Sequence, residues 1–397
     1  MIASRGDAEV ADADDELRSF RDEFPLPAGV IYLDGNSLGP PSSSALAALH
    51  EIEDEWAASL VTGWDRWLRL PFQVGDLLGE TLLGVAAGQV IVADSTTINL
   101  YKAAAAALAL RADRACVVIE SGSFPTDRYI VGQLAPEVRV AALSDVRDVL
   151  DADVALVVLA AVDYRSAAFA DIEVLTRATH DVGALILWDL SHAAGAVPLR
   201  LDEWGVDFAV GCTYKYINAG PGSPAYVYVR RELQDLVTQP IPGWFGHADQ
   251  FAMETDYRPA PGIGRFLTGT PDIPGTAAVE AGVRLLGRAG IDRIRLKSQG
   301  LTQLAIERAD ELLSPLGFEV ASPRESEWRG SHVALRHARA SDVCAALARD
   351  HVVIADHRQP DILRLGFAPL YTRFVDVWDA MTAIESVGRA VARSSSR

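Results

Sequence analysis

The sequence predicts an α/β fold, a mostly parallel sheet covered on both faces, with a second, smaller strand-and-helix unit behind it. Three observations carry this reading. From about residue 107 to 229, short apolar runs alternate with helix-like stretches, the pattern of a sheet whose crossovers are helices. A Gly- and Pro-rich stretch at 240–275 then breaks the alternation. Beyond it lie long helical stretches near 276–313, followed by a new group of short strands. At roughly 150 residues per domain, 397 residues suit two or three units. The expected division is an amino-terminal segment (1–60) packing on the functional site, a large domain (61–275) and a small carboxyl-terminal domain (276–397).

Each element has a local reason. Residues 96–110 are so rich in alanine that a helix follows, with Ser95 or Asp94 as its cap. Aliphatic runs at 116–119, 138–141, 154–159, 184–188, 208–210 and 225–229 are the strands. The stretch 171–181 is amphipathic and opens on an acidic residue, which suits a helix amino terminus. In the smaller unit, strands are expected near 333–336, 352–355 and 362–365. A closing helix from about Thr372 ends in a serine and arginine tail expected to fray.

Composition excludes several classes of function. With 49% hydrophobic and 23% charged residues the chain can bury a large core and is not globally disordered. A formal charge of −18, with no basic stripe, argues against nucleic acid as a partner. Cys116, Cys212 and Cys344 have no short spacing, so neither a disulfide framework nor a thiolate metal site is expected. The longest uncharged apolar runs, 103–110 and 154–162, fall far short of the roughly 20 residues that cross a bilayer. The first twenty residues lack both a basic start and an apolar stretch, so the expected compartment is the cytoplasm.

The basic residues point to chemistry. Of 36, only Lys102, Lys215 and Lys297 are lysines. Lys102 and Lys297 stand in helical, partly charged surroundings and read as solvated surface residues. Lys215 lies in GCTYKYINAGPG, between two tyrosines, after an apolar strand and before a glycine-rich turn. Desolvation there favours the neutral amine, which can form a Schiff base; arginine cannot. Upstream, LILWDLSHAAG places Asp189 at the carboxyl end of a strand with His192 three residues on, the edge where open α/β sheets bind ligands. A carboxylate at that edge suits a protonated pyridine nitrogen. Ser95, Thr96 and Thr97 offer hydroxyls and amides at a helix start, an anion cradle. In SGSFPTDRY, Phe124 offers a flat face beside Pro125, Thr126 and Asp127.

These residues resemble kynureninase, a fold type I (aspartate aminotransferase-like) pyridoxal phosphate family, from about Tyr32 to Tyr371. The resemblance rests on DGNSLGP at 34–40, GW at 63–64, DSTTINL at 94–100, FPTD at 124–127 and VDYRS at 162–166. It continues through WDLSHAAGAVP at 188–198, WGVDFAVGCTYKYINAGPG at 204–222, GWFGH at 243–247, RFLTGTP at 265–271 and RLGFAPLY at 364–371.

The resemblance implies hydrolysis of L-kynurenine to anthranilate and L-alanine. By position, Lys215 would bind pyridoxal 5′-phosphate and move protons at the substrate α-carbon. Asp189, supported by His192, would pair with the ring nitrogen, and Phe124 would stack on the ring. Thr96, Thr97 and Tyr214 match positions around the phosphate, with Tyr214 also the candidate acid. Trp244 and Thr270 match residues contributed by a neighbouring subunit, which implies a homodimer. Arg364 matches the arginine that grips the substrate carboxylate. Trp64, Gly269 and Thr270 match residues near the aryl ring in bacterial members that prefer the unsubstituted ring, and Asn36 and Ser37 would help close the site. Ala160, Gly264 and His357 depart from the family pattern, the last two near the expected ring pocket. Three rivals stay open: the same reaction on 3-hydroxy-L-kynurenine or another ring-substituted kynurenine, a cysteine desulfurase-like lyase, which needs a thiol on a mobile loop, and a catalytically silent amino-acid sensor.

Overall fold

Runs such as VALVVLA at 154–160 have no polar face, so they fold where both faces of a sheet are covered. The computed structural model, which describes residues 2–395, places them so. After β1 (Ile31–Tyr32) come β2 (Val90–Val92), β3 (Cys116–Glu120), β4 (Glu137–Ala141), β5 (Val154–Ala160), β6 (Leu185–Asp189), β7 (Phe208–Gly211) and β8 (Tyr226–Val229). β2 to β8 form one sheet in the order β2-β8-β7-β6-β5-β3-β4. β4, β3, β5, β6 and β7 run parallel; β8 alone runs against them, and β2, antiparallel to β8, closes that edge. The six expected strands agree within one residue at each end; β2, three residues long, had no separate signal.

Alternate residues of the central strands feed two cores. Val118, Ile186 and Trp188 point to one; Val117, Leu185 and Leu187 point to the other. Ser95 caps the helix Thr96–Leu110, and Asp171 caps the helix Ile172–Asp181 by accepting from Val174 N at 3.0 Å. Asp94 is not the cap; it sits at a φ of 52° and turns its carboxylate elsewhere.

The smaller unit holds β9 (Glu319–Val320), β10 (His332–Arg336), β11 (Val353–Ile354), β12 (Asp356–Arg358) and β13 (Ile362–Gly366). Four of these form an antiparallel sheet, β12-β13-β10-β9, and β11 instead pairs in parallel with β1. The strand expected at 352–355 is β11, which serves a different sheet from the rest of the unit, and β12, just beyond it, was not expected. The closing helix spans Phe374–Ser395, and the rest of the tail expected to fray, 396–397, lies outside the described residues. Packing also moves the division between units. The helix Ile273–Ala289 packs on the helix Ser43–Ser59 within the large core, which takes in Ile294 and also Ala368, Leu370 and Tyr371, while the small core joins Leu33 to residues from Leu301 onward. Of the amino-terminal segment, Ser37 reaches Arg364 and Gly39 reaches the Tyr214 backbone, while the helix Arg5–Ala13 packs on the closing helix. Among the described residues, no helix is long and apolar enough to cross a membrane.

The expectation for two lysines was wrong. Lys102 is fully buried, donating to Asp94 Oδ2 at 2.6 Å and to the Phe266 carbonyl at 2.5 Å. Lys297 is buried too, between Asp15 Oδ2 and the Pro369 carbonyl, each at 2.6 Å. Burial pulls both pKa values down, and the paired aspartates pull them back up. A compact ammonium fits these closed sites where a planar guanidinium would not. Removing one partner of such a pair strands a buried charge. Lys102→Ala should therefore lower the unfolding free energy by about 3 kcal/mol, measured by denaturant titration. A loss under about 0.5 kcal/mol, the surface-residue range, would restore the solvated reading.

Candidate active site

Polar side chains in a doubly covered sheet collect where the strands end, and here the carboxyl ends of β3, β5, β6 and β7 open on one cleft. Counted out to its open mouth, the space is about 560 Å³. Nine expected residues line it: Thr96, Thr97, Phe124, Thr126, Asp127, Asp189, His192, Tyr214 and Lys215. The helix Thr96–Leu110 supplies the first two from its opening turn, and the helix Pro125–Leu134 supplies Thr126 and Asp127 from its own. Two helix starts thus aim unpaired amides and positive dipole ends at one space. Pro125 sets the first turn of the second helix without lining the cleft.

Asp189 ends β6, and its Oδ1 accepts from the Ser191 amide at 2.8 Å. That support was expected from His192. The His192 ring is instead buried with Nε2 unpartnered, and burial, then the charge of Lys215, lowers its pKa well below the usual value and keeps it neutral. Asp127 Oδ2 is likewise buried and unpartnered; burial, then the Asp189 charge, pushes its pKa well up and favours the protonated acid. Lys215 is partly buried and open to the cleft, its ammonium 5.8 Å from the centroid of the Tyr214 ring. Burial also raises the Tyr214 hydroxyl, so the phenol keeps its proton.

Phe124 presents a ring that is 43% exposed, held edge-on by Tyr164 with centroids 5.3 Å apart at 85°. Tyr164 was missed as a site residue although VDYRS carried the resemblance; so was Ser191, whose signal was only its place two residues after Asp189. Ala160 and Val162 complete that wall. Gly264 and His357 are not part of it; Gly264 is buried against Phe72, where a Cβ would lie 3.3 Å from the ring.

Arg364 lies behind this wall, 1% exposed. Its Nη1 donates to the Tyr164 carbonyl at 2.5 Å and its Nη2 to Ser37 Oγ at 3.0 Å. The bidentate edge expected to face a substrate is already filled by Asp356, which accepts from Nε at 2.7 Å and from Nη2. Burial alone would raise Asp356, yet its bonds to Arg364 and Ser37 carry its pKa below the ordinary carboxylate value. Asn36 is fully buried beside Gly366 with both amide atoms unpartnered.

The remaining expected residues are not brought to this cleft within one chain. Trp64 packs edge-on against Trp67, 5.5 Å away, and near Phe245. Trp244 lines a separate recess with Pro242 and Tyr257, and Gly269 and Thr270 line another beside Asp94 and Ser95. Among the described residues, no cluster of three or more His, Cys, Asp or Glu is placed to hold a metal.

The cleft residues suit pyridoxal phosphate. Helix starts and threonine hydroxyls suit its phosphate, the exposed face of Phe124 its ring, Asp189 its protonated nitrogen, and Lys215 its aldehyde. The unpartnered Asp127 Oδ2 and His192 Nε2 are buried polar atoms that a polar ligand would satisfy.

Comparison with known proteins agrees with this arrangement. Residues 294–384 match the family model described as the kynureninase C-terminal domain. The chain is 43% identical over 400 residues to the kynureninase of Pseudomonas fluorescens, covering 97% of this chain and 96% of that protein. It is 41% identical to the kynureninase of Burkholderia pseudomallei strain K96243 over the same shares. Among solved structures it resembles an apo cysteine desulfurase from Thermococcus onnurineus NA1, with a TM-score of 0.80 at 19% identity, covering 94% of this chain and 98% of that one. It also resembles a C-DES variant with glycine covalently linked to its PLP cofactor, with a TM-score of 0.80 at 15% identity, covering 92% and 98%. At those identities the structures establish a shared fold type I architecture. The near full-length identity to the curated relatives goes further: the chain belongs to the kynureninase family.

Proposed function

We propose that this chain is a pyridoxal phosphate-dependent hydrolase that adds water across the Cβ–Cγ bond of L-kynurenine, giving anthranilate and L-alanine. The observation that carries this reading is the single cleft joining Lys215, Asp189, Phe124 and two helix starts. Pyridoxal phosphate, when bound there, supplies an aldehyde for the substrate amine and a ring that takes up electrons.

The chain's own residues do the rest. Asp189, fixed by the Ser191 amide, keeps a proton on the ring nitrogen. The Lys215 amine accepts the proton from the substrate α-carbon and returns it on the same face of the cleft. Tyr214, whose phenol is held protonated, delivers a proton to the β-carbon of the alanyl fragment. Arg364 orients the substrate carboxylate through the one Nη1 N–H that Asp356, Ser37 and the Tyr164 carbonyl leave open, with Ser37 alongside. Tyr164 holds Phe124 upright for stacking.

The ring is read as unsubstituted on the strength of Trp64, Gly269 and Thr270. These residues and Trp244 lie outside their own chain's cleft, which supports a homodimer in which each subunit completes its partner's site. Exposed Trp56, Leu60, Val61, Phe251 and Met253 add apolar surface for such contact. The free cysteines accord with a reducing cytoplasm. They also speak against the desulfurase reading, since Cys116 and Cys212 are buried and Cys344 is partly so.

Loaded protein given L-kynurenine and 3-hydroxy-L-kynurenine in competition should yield mostly anthranilate with equimolar alanine, counted by mass spectrometry. A hydroxylated product in excess would overturn the ring assignment, and no product from either would overturn the activity. Lys215→Ala should abolish turnover and the visible absorbance of the loaded protein while leaving its unfolding midpoint unchanged; steady residual turnover would remove Lys215 from its role. Arg364→Ala should raise KM at least about tenfold, and an unchanged KM would take Arg364 out of carboxylate binding.

A further inference from the structure

Residues 31–39 run between the two units, and their contacts reach both ends of the site. Toward the small unit, Leu33 N donates to the Ile354 carbonyl and Gly366 N to the Leu33 carbonyl, each at 2.7 Å, and the Leu33 side chain is buried in the small core. Ser37 Oγ donates to Asp356 Oδ2 at 2.7 Å and accepts from Arg364 Nη2 at 3.0 Å. Toward the large unit, Gly39 N donates to the Tyr214 carbonyl at 2.7 Å. A Cβ on Gly39 would overlap the Lys215 carbonyl oxygen and Asn218 Oδ1, so the absence of a side chain is what lets the turn lie against the backbone of the lysine. Between these ends the segment is closed on itself. Ser37 N and Leu38 N both donate to the Asp34 carbonyl, at 2.9 and 3.0 Å, and the Leu38 carbonyl accepts from Tyr32 Oη at 2.7 Å.

We infer that the turn 34–39 is a strut that sets Lys215 against Arg364, with Gly39 positioning the lysine backbone and Ser37 positioning the guanidinium. The inference rests on the roles given above to Lys215 and Arg364. Neither strut residue acts on the reacting bond; Gly39 works only through the backbone of residue 215. The strut fixes the span between the amine that meets the cofactor and the cation that holds the carboxylate. The two are carried by different units, which the bonds from Arg364 Nη1 to the Tyr164 carbonyl and from Tyr216 Oη to the Ser331 carbonyl also join; the strut adds the contact that reaches the backbone beside Lys215 and the guanidinium in one short turn. A displacement of about 1 Å at such a distance costs on the order of a hundredfold in rate.

The test uses the full, cofactor-loaded chain with three variants. Gly39→Ala should lower kcat on the order of a hundredfold with KM little changed, and should move the midpoint of the pH titration of the visible absorbance, a signal from the lysine's surroundings. Ser37→Ala should raise KM about tenfold and leave that titration where it was. Adding Asn218→Gly to Gly39→Ala removes the side-chain overlap and suits the φ of 59° at position 218. It should not restore kcat, because the overlap with the Lys215 carbonyl persists. A Gly39→Ala protein with wild-type kcat and titration would overturn the strut, as would full rescue by Asn218→Gly. Ser37→Ala creates no overlap and reports even if Gly39→Ala fails to fold; an unchanged KM there would also overturn it. Wild-type turnover of L-kynurenine, measured alongside, separates these results from failure of the functional reading itself.

Discussion

A parallel sheet buried on both faces can hold charge only at its ends, and everything that acts in this molecule follows from that constraint. Along β5 all seven residues are buried and aliphatic; the first polar side chains appear where the strands stop. Asp189 is the last residue of β6, and Lys215 follows β7 by four residues. The same ends meet the opening turns of two helices, whose unpaired amides face the same space. Acid, amine and anion cradle are thus gathered by backbone geometry before any side-chain contact forms.

A second constraint is electrostatic. The chain carries a formal charge of −18, yet two arginines, 358 and 364, converge on the one carboxylate of Asp356. Asp34 lies in the same field, so the two cations face two carboxylates. Asp356 holds Arg364 in a fixed pose, since an unpaired buried guanidinium would be costly.

Much of this was legible in the sequence, and the failures share a cause. Six strands and their helices followed from aliphatic runs and caps because both signals are local. Nine cleft residues followed because each sits at a strand or helix end that the pattern itself marks. Lys297 was misread because its partner Asp15 is distant and on no shared motif; Lys102 has Asp94 eight residues upstream, but the Phe266 carbonyl that shares its ammonium comes from 164 residues away. The Asp356 that fills the fork of Arg364 stands eight residues away on a neighbouring strand, and only the antiparallel register of β12 with β13 makes them face each other. The unit boundary was set by where a Gly- and Pro-rich stretch ends, whereas packing assigns the helix after it to the large core. Trp64, Trp244, Gly269 and Thr270 came from the resemblance alone, and within one chain they lie outside the lining of the cleft.

The burial of two lysines reaches beyond stability. With Lys102 and Lys297 sealed against aspartates, Lys215 is the one ε-amine among the described residues that is open to solvent, and the other cations are arginines, which form no stable imines. Aldehydes are indiscriminate toward exposed amines, and pyridoxal phosphate is itself an aldehyde. A surface cleared of lysine leaves such a reagent one side-chain address. Side-chain loading can then saturate at one equivalent per chain, and selectivity for the cleft is secured as much by what the rest of the surface lacks as by what the cleft contains.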